Sequence, residues 1–185
     1  MSKILLVIDM QNDFVDGTLG TKEAVDIIPN VIKEIKDKKD AGYIVFATRD
    51  THFNREQNPR YNPAYEDSLE GKKLPVKHCI IGTRGWEIYP SIKKELDPDN
   101  VINKLTFGSF ELLERLKLED KLEKIEEIEI IGLCTDICVV SNAILARATF
   151  KDTVITVKES CCAGVTPQTH KMALETMKMC QIDII

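Results

Sequence analysis

The stretch from Glu127 to Asn142 constrains the fold more than any other part of the chain. It reads Glu-Ile-Glu-Ile-Ile-Gly-Leu-Cys-Thr-Asp-Ile-Cys-Val-Val-Ser-Asn. Its first half predicts a buried β-strand because it is rich in β-branched residues, namely Ile128, Ile130 and Ile131. Gly132 then breaks the strand pattern. From Val139 onward the apolar residues recur at spacings of three and four, which predicts a helix; these are Val140, Ala143, Ile144 and Ala148.

Cys138 lies where this strand passes into the helix. Thr135 and Asp136 are residue types that cap helix N-termini, so the helix is expected to begin beside the cysteine. Open α/β sheets carry their chemistry at the carboxyl ends of the strands. A thiol near a helix N-terminus is biased toward the nucleophilic thiolate. A buried structural cysteine fits the same stretch equally well, and at this point both interpretations remain open.

Composition narrows the class of protein. The chain has 185 residues, 43% of them hydrophobic, which predicts a single domain over residues 1–185 with a full core. The net charge is -5 and the basic residues do not cluster, which argues against nucleic acid or an anionic membrane surface as a partner. No apolar run reaches the length of a membrane span, and the first residues lack the pattern of a signal peptide. We expect a cytoplasmic protein whose six cysteines are reduced thiols.

The rest of the chain alternates between predicted strands and helices. The other strands are Lys3–Ile8, Tyr43–Thr48, Asn100–Asn103, Asp152–Val157 and Ile182–Ile185. The helices run from Pro29 to Gly42, from Trp86 to Leu96, from Ser109 to Leu118 and onward from Pro167. Inward positions are predicted for Phe110, Leu113 and Leu116 in the third of these helices, and the methionines of the last one, Met172, Met177 and Met179, are assigned to the core.

Residues 49–85 form a long segment with weak periodicity, and segments of this length are usually functional or disordered. It begins with Asp50-Thr51-His52 directly after the second strand, and His78 lies near its end. An Asp-x-His pair with a later histidine suits a divalent metal of the zinc or iron type. A polar loop with two surface histidines is the competing interpretation.

Three strand ends carry a residue of reactive type: Asp9, Lys104 and Cys138. The carboxyl ends of adjacent parallel strands can bring such residues together, although they are far apart in sequence. An acid beside a thiol can accept its proton, and a nearby ammonium group stabilises both charges.

At this point the chain resembles the isochorismatase-like cysteine hydrolases, and within them the nicotinamidase branch. The matching segments occur in order over most of the chain. They are Val-Ile-Asp-Met-Gln-Asn-Asp-Phe at 7–14, Arg-Asp-Thr-His at 49–52, His-Cys-Ile-Ile-Gly-Thr at 78–83, Lys-Leu-Thr-Phe-Gly-Ser-Phe at 104–110 and Gly-Leu-Cys-Thr-Asp-Ile-Cys-Val at 132–139.

The resemblance implies an α/β fold of three layers, a doubly wound six-stranded parallel sheet with helices on both faces. It implies Asp9, Lys104 and Cys138 as a catalytic triad. It also implies a cis peptide between Leu133 and Cys134, and an oxyanion hole formed by the backbone N–H groups of Cys134 and Cys138. A substrate pocket is expected at Phe14 and Leu133.

The same resemblance implies one divalent metal ion, with zinc expected and iron or manganese as alternatives. Its ligands would be Asp50, His52 and His78, with an acid shortly before the second histidine. Glu70 fits that acid best, and Glu66 is its rival.

Two features depart from the nicotinamidase pattern. Where that branch has Trp-Pro-x-His-Cys, this chain has Leu-Pro-Val-Lys-His-Cys at 74–79, one residue longer and without the tryptophan. The segment from Phe53 to Leu69 also lacks the further histidine that many members carry.

The resemblance implies an amidohydrolase that converts nicotinamide and water to nicotinate and ammonia through a thioester on Cys138. Other small carboxamide or ureido substrates remain open within the enzyme class, and a non-catalytic binding protein on the same fold is the alternative from a different class. Isochorismatase chemistry is disfavoured because the hydrolysis of a vinyl ether needs no cysteine nucleophile. The expected partners are a small-molecule amide substrate and further copies of the chain in a homo-oligomer.

Overall fold

The computed structural model describes residues 1–57 and 62–185 and contains a six-stranded sheet. The strands are Ser2–Ile8 (β1), Ile44–Asp50 (β2), Val101–Lys104 (β3), Ile125–Leu133 (β4), Val154–Ala163 (β5) and Asp183–Ile184 (β6). All neighbouring strands pair in parallel, in the order β3-β2-β1-β4-β5-β6. The order of strand addition reverses between β1 and β4, and open α/β sheets bind ligands in the crevice at such a switch point.

Helices cover both faces of the sheet, which confirms the predicted three-layer fold. They are Asn12–Val15 (α1), Lys22–Asp26 (α2), Ile28–Asp40 (α3), Leu69–Lys73 (α4), Pro90–Lys93 (α5), Phe110–Leu122 (α6), Val140–Thr149 (α7) and Pro167–Met179 (α8). Short 3₁₀ turns span Tyr65–Asp67 and Pro98–Asn100, and a π-helical turn spans Thr135–Val139.

The apolar run of β1 is buried on both faces, as a central parallel strand requires. Ile4, Leu6 and Ile8 pack in a core with α6, α7 and α8. Leu5 and Val7 pack in a second core with α1, α2, α3 and α5.

Gly132 brings the ends of β1 and β4 together rather than ending the strand. It pairs with Ile8 and lies inside β4, with a φ of 118° that favours glycine. A Cβ atom at this position would lie 2.1 Å from the Ile8 carbonyl oxygen. The close approach places the residue after β1, Asp9, beside the segment that carries Cys138.

The helix predicted over Trp86–Leu96 is too long at both ends, and most of the excess precedes Pro90. Only Pro90–Lys93 is helical, because the residue before a proline is disfavoured in the α conformation. The preceding backbone pairs instead with the segment after β1. Asn12 N–H donates to the Glu87 carbonyl at 3.0 Å, and Tyr89 N–H donates to the Met10 carbonyl at 2.8 Å.

Several predicted inward positions are exposed. Phe110 is 73% exposed because α6 buries Leu112, Leu113 and Leu116, and the first residue of the helix lies off that face. In α8, Met177 is buried, but Met172 and Met179 face solvent. In α7 the buried face carries Asn142, Ala143 and Ala146, so Ile144 and Ala148 of the predicted stripe lie outside it.

Residues 78–81 return to the edge of the sheet beside the end of β2. His52 forms a parallel bridge with Ile80, with hydrogen bonds of 3.0 Å to the Cys79 carbonyl and 2.9 Å from Ile81 N–H. This bridge returns His78 to the end of β2, so the competing picture of two surface histidines is wrong.

Among the described residues, no helix is long and apolar enough to cross a membrane.

Candidate active site

Asp9 is the first residue after β1 and is completely buried. Its φ of 47° turns the chain out of the strand in a conformation that is rare for non-glycine residues. Thr48 in β2 donates its hydroxyl to Asp9 Oδ1 at 2.7 Å. Burial raises the pKa of this carboxyl, Lys104 opposes the rise, and the charge of Asp50 adds to it.

Lys104 ends β3 and brings together three of the predicted site residues. Its Nζ lies 2.7 Å from Asp9 Oδ2, 3.0 Å from Asp50 Oδ1 and 3.4 Å from Cys138 Sγ. Burial would lower the pKa of the ammonium group, but Asp9, Cys138 and Asp50 outweigh burial and raise it well above its ordinary value. The lysine is therefore a permanent cation between two acids and a thiol.

Cys138 lies in the π-helical turn Thr135–Val139 that follows β4, and its side chain is buried. Helical turns of this type recur at functional sites. The bias of Cys138 toward thiolate that a helix N-terminus suggests is opposed by burial. Burial raises the pKa of the thiol well above its ordinary value, Lys104 opposes the rise, and Asp9 and Asp50 add to it.

Thr135 and Asp136, the residues predicted to cap the helix, do not precede the turn. Cys134 is the residue that precedes it, and the peptide between Leu133 and Cys134 is cis. Thr135 and Asp136 lie within the turn, and Asp136 accepts hydrogen bonds from Val165 N–H instead of capping the helix.

A second cluster adjoins the first. The side chains of Asp50, His52, Glu70 and His78 each offer a ligand atom, and these four atoms lie within 4.8 Å of one another. His52 Nε2 is 2.9 Å from Asp50 Oδ2 and 3.7 Å from Glu70 Oε1, and His78 Nε2 is 3.4 Å from Glu70 Oε1. Glu66, the rival acid, pairs instead with Lys77.

The four residues fit a divalent ion. His52 Nε2 is buried and lies 2.9 Å from Asp50 Oδ2, but it makes no hydrogen bond of acceptable geometry among the described residues, which leaves it available as a ligand atom. His78 Nδ1 contacts the Val76 carbonyl at 2.8 Å, which leaves its Nε2 as the ligand atom. Burial would lower the pKa of His78, but Glu70, the Val76 carbonyl and Asp50 outweigh burial and raise it. The two acids thus favour a positive charge at this position, and two imidazoles with two carboxylates suit zinc, iron or manganese.

A cavity of about 530 Å³ joins the two clusters. Its lining includes Cys134 and Cys138 as well as His52, Glu70 and His78. Its apolar wall includes Phe14, Leu19, Leu105, Phe107 and Ile137. A cavity of this size, with a largely apolar lining and a few polar groups, suits a small, mostly apolar molecule that carries a polar group.

The family follows from comparison with known proteins. The Isochorismatase domain family matches residues 3–185. The chain belongs to the isochorismatase family. It is 32% identical, over 94% of its length and 93% of the relative's, to an uncharacterised isochorismatase family protein, PncA, of Bacillus subtilis.

Two solved structures of this family share the fold over the whole chain. The nicotinamidase/pyrazinamidase PncA of Bacillus subtilis aligns with a TM-score of 0.79 at 26% identity, covering 100% of this chain and 99% of that one. The pyrazinamidase of Pyrococcus horikoshii, solved in complex with zinc, aligns with a TM-score of 0.77 at 27% identity and the same coverage. The protein is accordingly a hydrolase of the isochorismatase family.

The structure treats the two predicted pocket residues differently. Phe14 lines the cavity, with its ring centroid 5.6 Å from that of His78. Leu133 does not line it: the side chain is 1% exposed and packs in the core beneath the sheet edge. As the last residue of a buried strand, Leu133 points away from the crevice that begins one residue later.

The sequence prediction also missed residues that hold the candidate site in place. Tyr65 packs edge-on against both histidines, with ring centroids 4.9 Å from His52 and 5.1 Å from His78. Gln11 donates to the Asp50 carbonyl and accepts from Asp50 N–H, at 2.8 and 2.7 Å. Gln11 directly follows the first strand end, and this position is the signal that could have identified it. Tyr65 carries no such signal in the sequence.

Proposed function

We propose that this chain is a metal-assisted cysteine amidohydrolase and that nicotinamide is its substrate. The observation that carries the proposal is that Cys138, which contacts Lys104 beside Asp9 and Asp50, lines the same cavity as the Asp50–His52–Glu70–His78 cluster. The first group suits nucleophilic attack on a carbonyl carbon, and the second suits the binding of a heteroaromatic ring nitrogen.

The first half of the reaction forms a thioester. Cys138 Sγ attacks the carboxamide carbon while its proton passes to the Asp9 carboxylate, and the carbonyl electron pair moves to oxygen. The backbone N–H groups of Cys134 and Cys138 stabilise the oxyanion. As the tetrahedral intermediate collapses, Asp9 returns the proton to the amide nitrogen, the C–N bond breaks and ammonia leaves.

The second half hydrolyses the thioester. Asp9 takes a proton from water as the oxygen attacks the thioester carbon, the C–S bond breaks, and the proton returns to Cys138. Lys104 remains an ammonium group throughout. It stabilises the thiolate and the Asp9 carboxylate, neither of which is stable alone at this depth of burial.

A bound divalent ion, with zinc as the proposed identity, supplies a Lewis-acidic position for the ring nitrogen. Asp50, His52, Glu70 and His78 are its proposed ligands. Their task in the reaction is positioning, because a held ring sets the carboxamide carbon over Cys138. Phe14 and the apolar wall of the cavity exclude water from the ring.

The absence of a tryptophan from residues 74–79 favours a second candidate substrate class. Residues 74–79 supply no tryptophan to the cavity, and the single tryptophan of the chain, Trp86, stacks on Arg49 and donates to Thr51 Oγ1 at 2.9 Å instead. Without that aromatic side chain, another small carboxamide or a ureido compound is the alternative substrate.

Ammonia release from a matched panel tests the proposal. Nicotinamide and pyrazinamide carry a ring nitrogen, benzamide lacks one, and a ureido compound represents the alternative. We expect nicotinamide to be hydrolysed fastest, benzamide to be slow, and a chelator to remove the difference between them. Cys138→Ala serves as the blank. Ammonia release from the ureido compound alone would favour the alternative, and none from any amide would refute the amidase assignment.

A further inference from the structure

The turn Thr135–Val139 makes side-chain contacts with α8 and with the segment that joins β5 to α8. The first residue of the turn, Thr135, has no solvent exposure, and its Oγ1 lies 2.8 Å from Nδ1 of His170 in α8. The next residue, Asp136, accepts the N–H of Val165 with both carboxylate oxygens at 3.1 Å. Two consecutive residues of the turn are therefore held by side-chain contacts that the proposed reaction does not use.

The position of His170 is itself well determined. It directly follows the Thr166–Thr169 capping box that starts α8. Gly164 lies against it so closely that an added Cβ would be 2.8 Å from His170 Cβ. His170 also lines a small cavity of about 250 Å³ together with Pro167 and Lys171. Its other ring nitrogen, Nε2, lies 3.8 Å from Oε1 of the half-exposed Glu159, so the 2.8 Å contact with Thr135 is the shorter of the two polar contacts of the imidazole.

Thr135 links this anchor to the proposed oxyanion site. Its carbonyl accepts the N–H of Val140, which closes the π-helical turn. The backbone N–H of Cys134 lies immediately before it, and that of Cys138 lies within the turn. A small rotation at Thr135 would therefore move both donors relative to the nucleophile, and stabilisation of an oxyanion is sensitive to such shifts.

We propose that His170 is a positioning residue: through the hydroxyl of Thr135 it aligns the turn that carries Cys138 and the two oxyanion donors. The inference rests on the proposed amidase function for its catalytic consequence, but the contact it invokes lies outside the cavity. His170 touches neither the substrate space nor the metal-ligand cluster.

Paired substitutions separate orientation from packing. His170→Asn keeps a polar atom where Nδ1 lies, whereas His170→Leu removes it. Thr135→Ser keeps the hydroxyl, whereas Thr135→Val keeps the shape without it. We expect His170→Leu and Thr135→Val each to lower kcat about tenfold or more, with KM unchanged within about threefold. The kcat of the double variant His170→Leu/Thr135→Val should be no lower than that of the more impaired single variant. His170→Asn and Thr135→Ser should retain wild-type kcat.

Two further measurements make the outcome decisive. The thermal unfolding midpoint of each variant tests for a purely structural role. Such a role would lower the midpoint but leave kcat of the folded protein unchanged. The rate at which iodoacetamide alkylates Cys138, followed by peptide mass, reports on the turn without any substrate. We expect it to change about threefold or more in His170→Leu and Thr135→Val, and not in His170→Asn or Thr135→Ser.

Failure of the two proposals is distinguishable. A wild type that hydrolyses no amide refutes the amidase function, and the alkylation rates then decide the role of His170 alone. A His170→Leu variant with wild-type kcat and wild-type alkylation overturns the positioning role and leaves the amidase function standing.

Discussion

Asp50 and Lys104 end neighbouring strands, and Oδ1 of Asp50 lies 3.0 Å from Nζ of Lys104. The other carboxylate oxygen, Oδ2, faces the histidines, at 2.9 Å from His52 and 3.7 Å from His78. One side chain thus connects the thiol cluster to the proposed metal centre. Burial would raise the pKa of Asp50, but Lys104 and His52 together outweigh burial and lower it, so the group is a carboxylate throughout the neutral range.

This shared carboxylate predicts a double effect for Asp50→Asn. The variant should lose the metal and also alkylate faster at Cys138, by up to about tenfold at pH 8, because a negative charge that raises the thiol pKa is gone. His52→Ala should lose the metal without this acceleration. Elemental analysis and iodoacetamide kinetics on chelator-treated proteins make the comparison. Equal alkylation rates in the two variants would contradict the electrostatic link.

The nucleophile assignment predicts that Cys138→Ala abolishes turnover and leaves the fold intact. The thiol is buried beside Lys104, and no other cysteine contacts both that lysine and the cavity among the described residues. Cys134→Ser, Cys161→Ser and Cys162→Ser are the matched controls and should retain most of the activity. Ammonia release and circular dichroism are the measurements. Near-wild-type activity in Cys138→Ala would exclude the residue as nucleophile.

Asp9 and Lys104 should behave as one unit. Asp9→Asn and Lys104→Ala are each expected to lower kcat by about 10²–10⁴-fold, and the double variant should lose little more. Lys104→Ala should also destabilise the fold by about 3–5 kcal/mol, because it leaves two buried acids without their cation. Urea denaturation measures this cost, and Lys104→Met is the better-packed control. Fully additive kinetic losses would show that the two residues do not share a step.

The environment of Asp9 predicts a pH dependence. The carboxyl must be ionised to accept the thiol proton, and its pKa is raised above 3.8, so kcat/KM should fall as the pH drops through that higher value. The Thr48 hydroxyl donates to Asp9 and lowers its pKa. Thr48→Val should therefore shift the low-pH fall of kcat/KM to higher pH by about one unit, while Thr48→Ser leaves the profile unchanged. A pH–rate profile that does not shift in Thr48→Val would mean that a group other than Asp9 causes the fall.

The proposed metal site predicts that substitution of Glu70 weakens zinc binding and substitution of Glu66 does not. His52→Ala, His78→Ala and Glu70→Gln should lower zinc affinity by about tenfold or more and raise KM for nicotinamide. Glu66→Gln is the matched control, since Glu66 pairs with Lys77 outside the cluster, and it should bind zinc normally. Zinc titration with a fluorescent chelator as competitor gives the affinities. A wild type that turns over nicotinamide normally in excess chelator would refute the metal's role.

The architecture of the site was predictable because it depends on strand ends. The apolar runs of β1 and β4 identify parallel strands, and the residues that follow such strands meet at one edge of the sheet. The contact of Lys104 with Asp9 and Cys138 follows from this rule, as does the proximity of Asp50 and His52. The roles assigned to these residues stay predictions until the variants are measured.

Other parts were not predictable because they depend on register or on partners distant in sequence. The contact of Asp50 with Lys104 requires the particular β2–β3 register. The non-helical backbone of residues 86–89 is set by pairing with residues 10–12, which local propensity does not reveal. The raised pKa of Cys138 depends on how deeply the thiol is buried, and a helix N-terminus alone points in the opposite direction.

The place of β1 in the sheet has a consequence for biosynthesis. β1 lies between β2 and β4, and β4 begins only at Ile125. A nascent chain that ends before this residue therefore exposes the hydrogen-bonding edge of an almost entirely apolar strand, which is a template for pairing with other chains. Vectorial synthesis leaves this edge open until β4 has emerged from the ribosome. Shielding of β1 during that interval would limit its pairing with other chains.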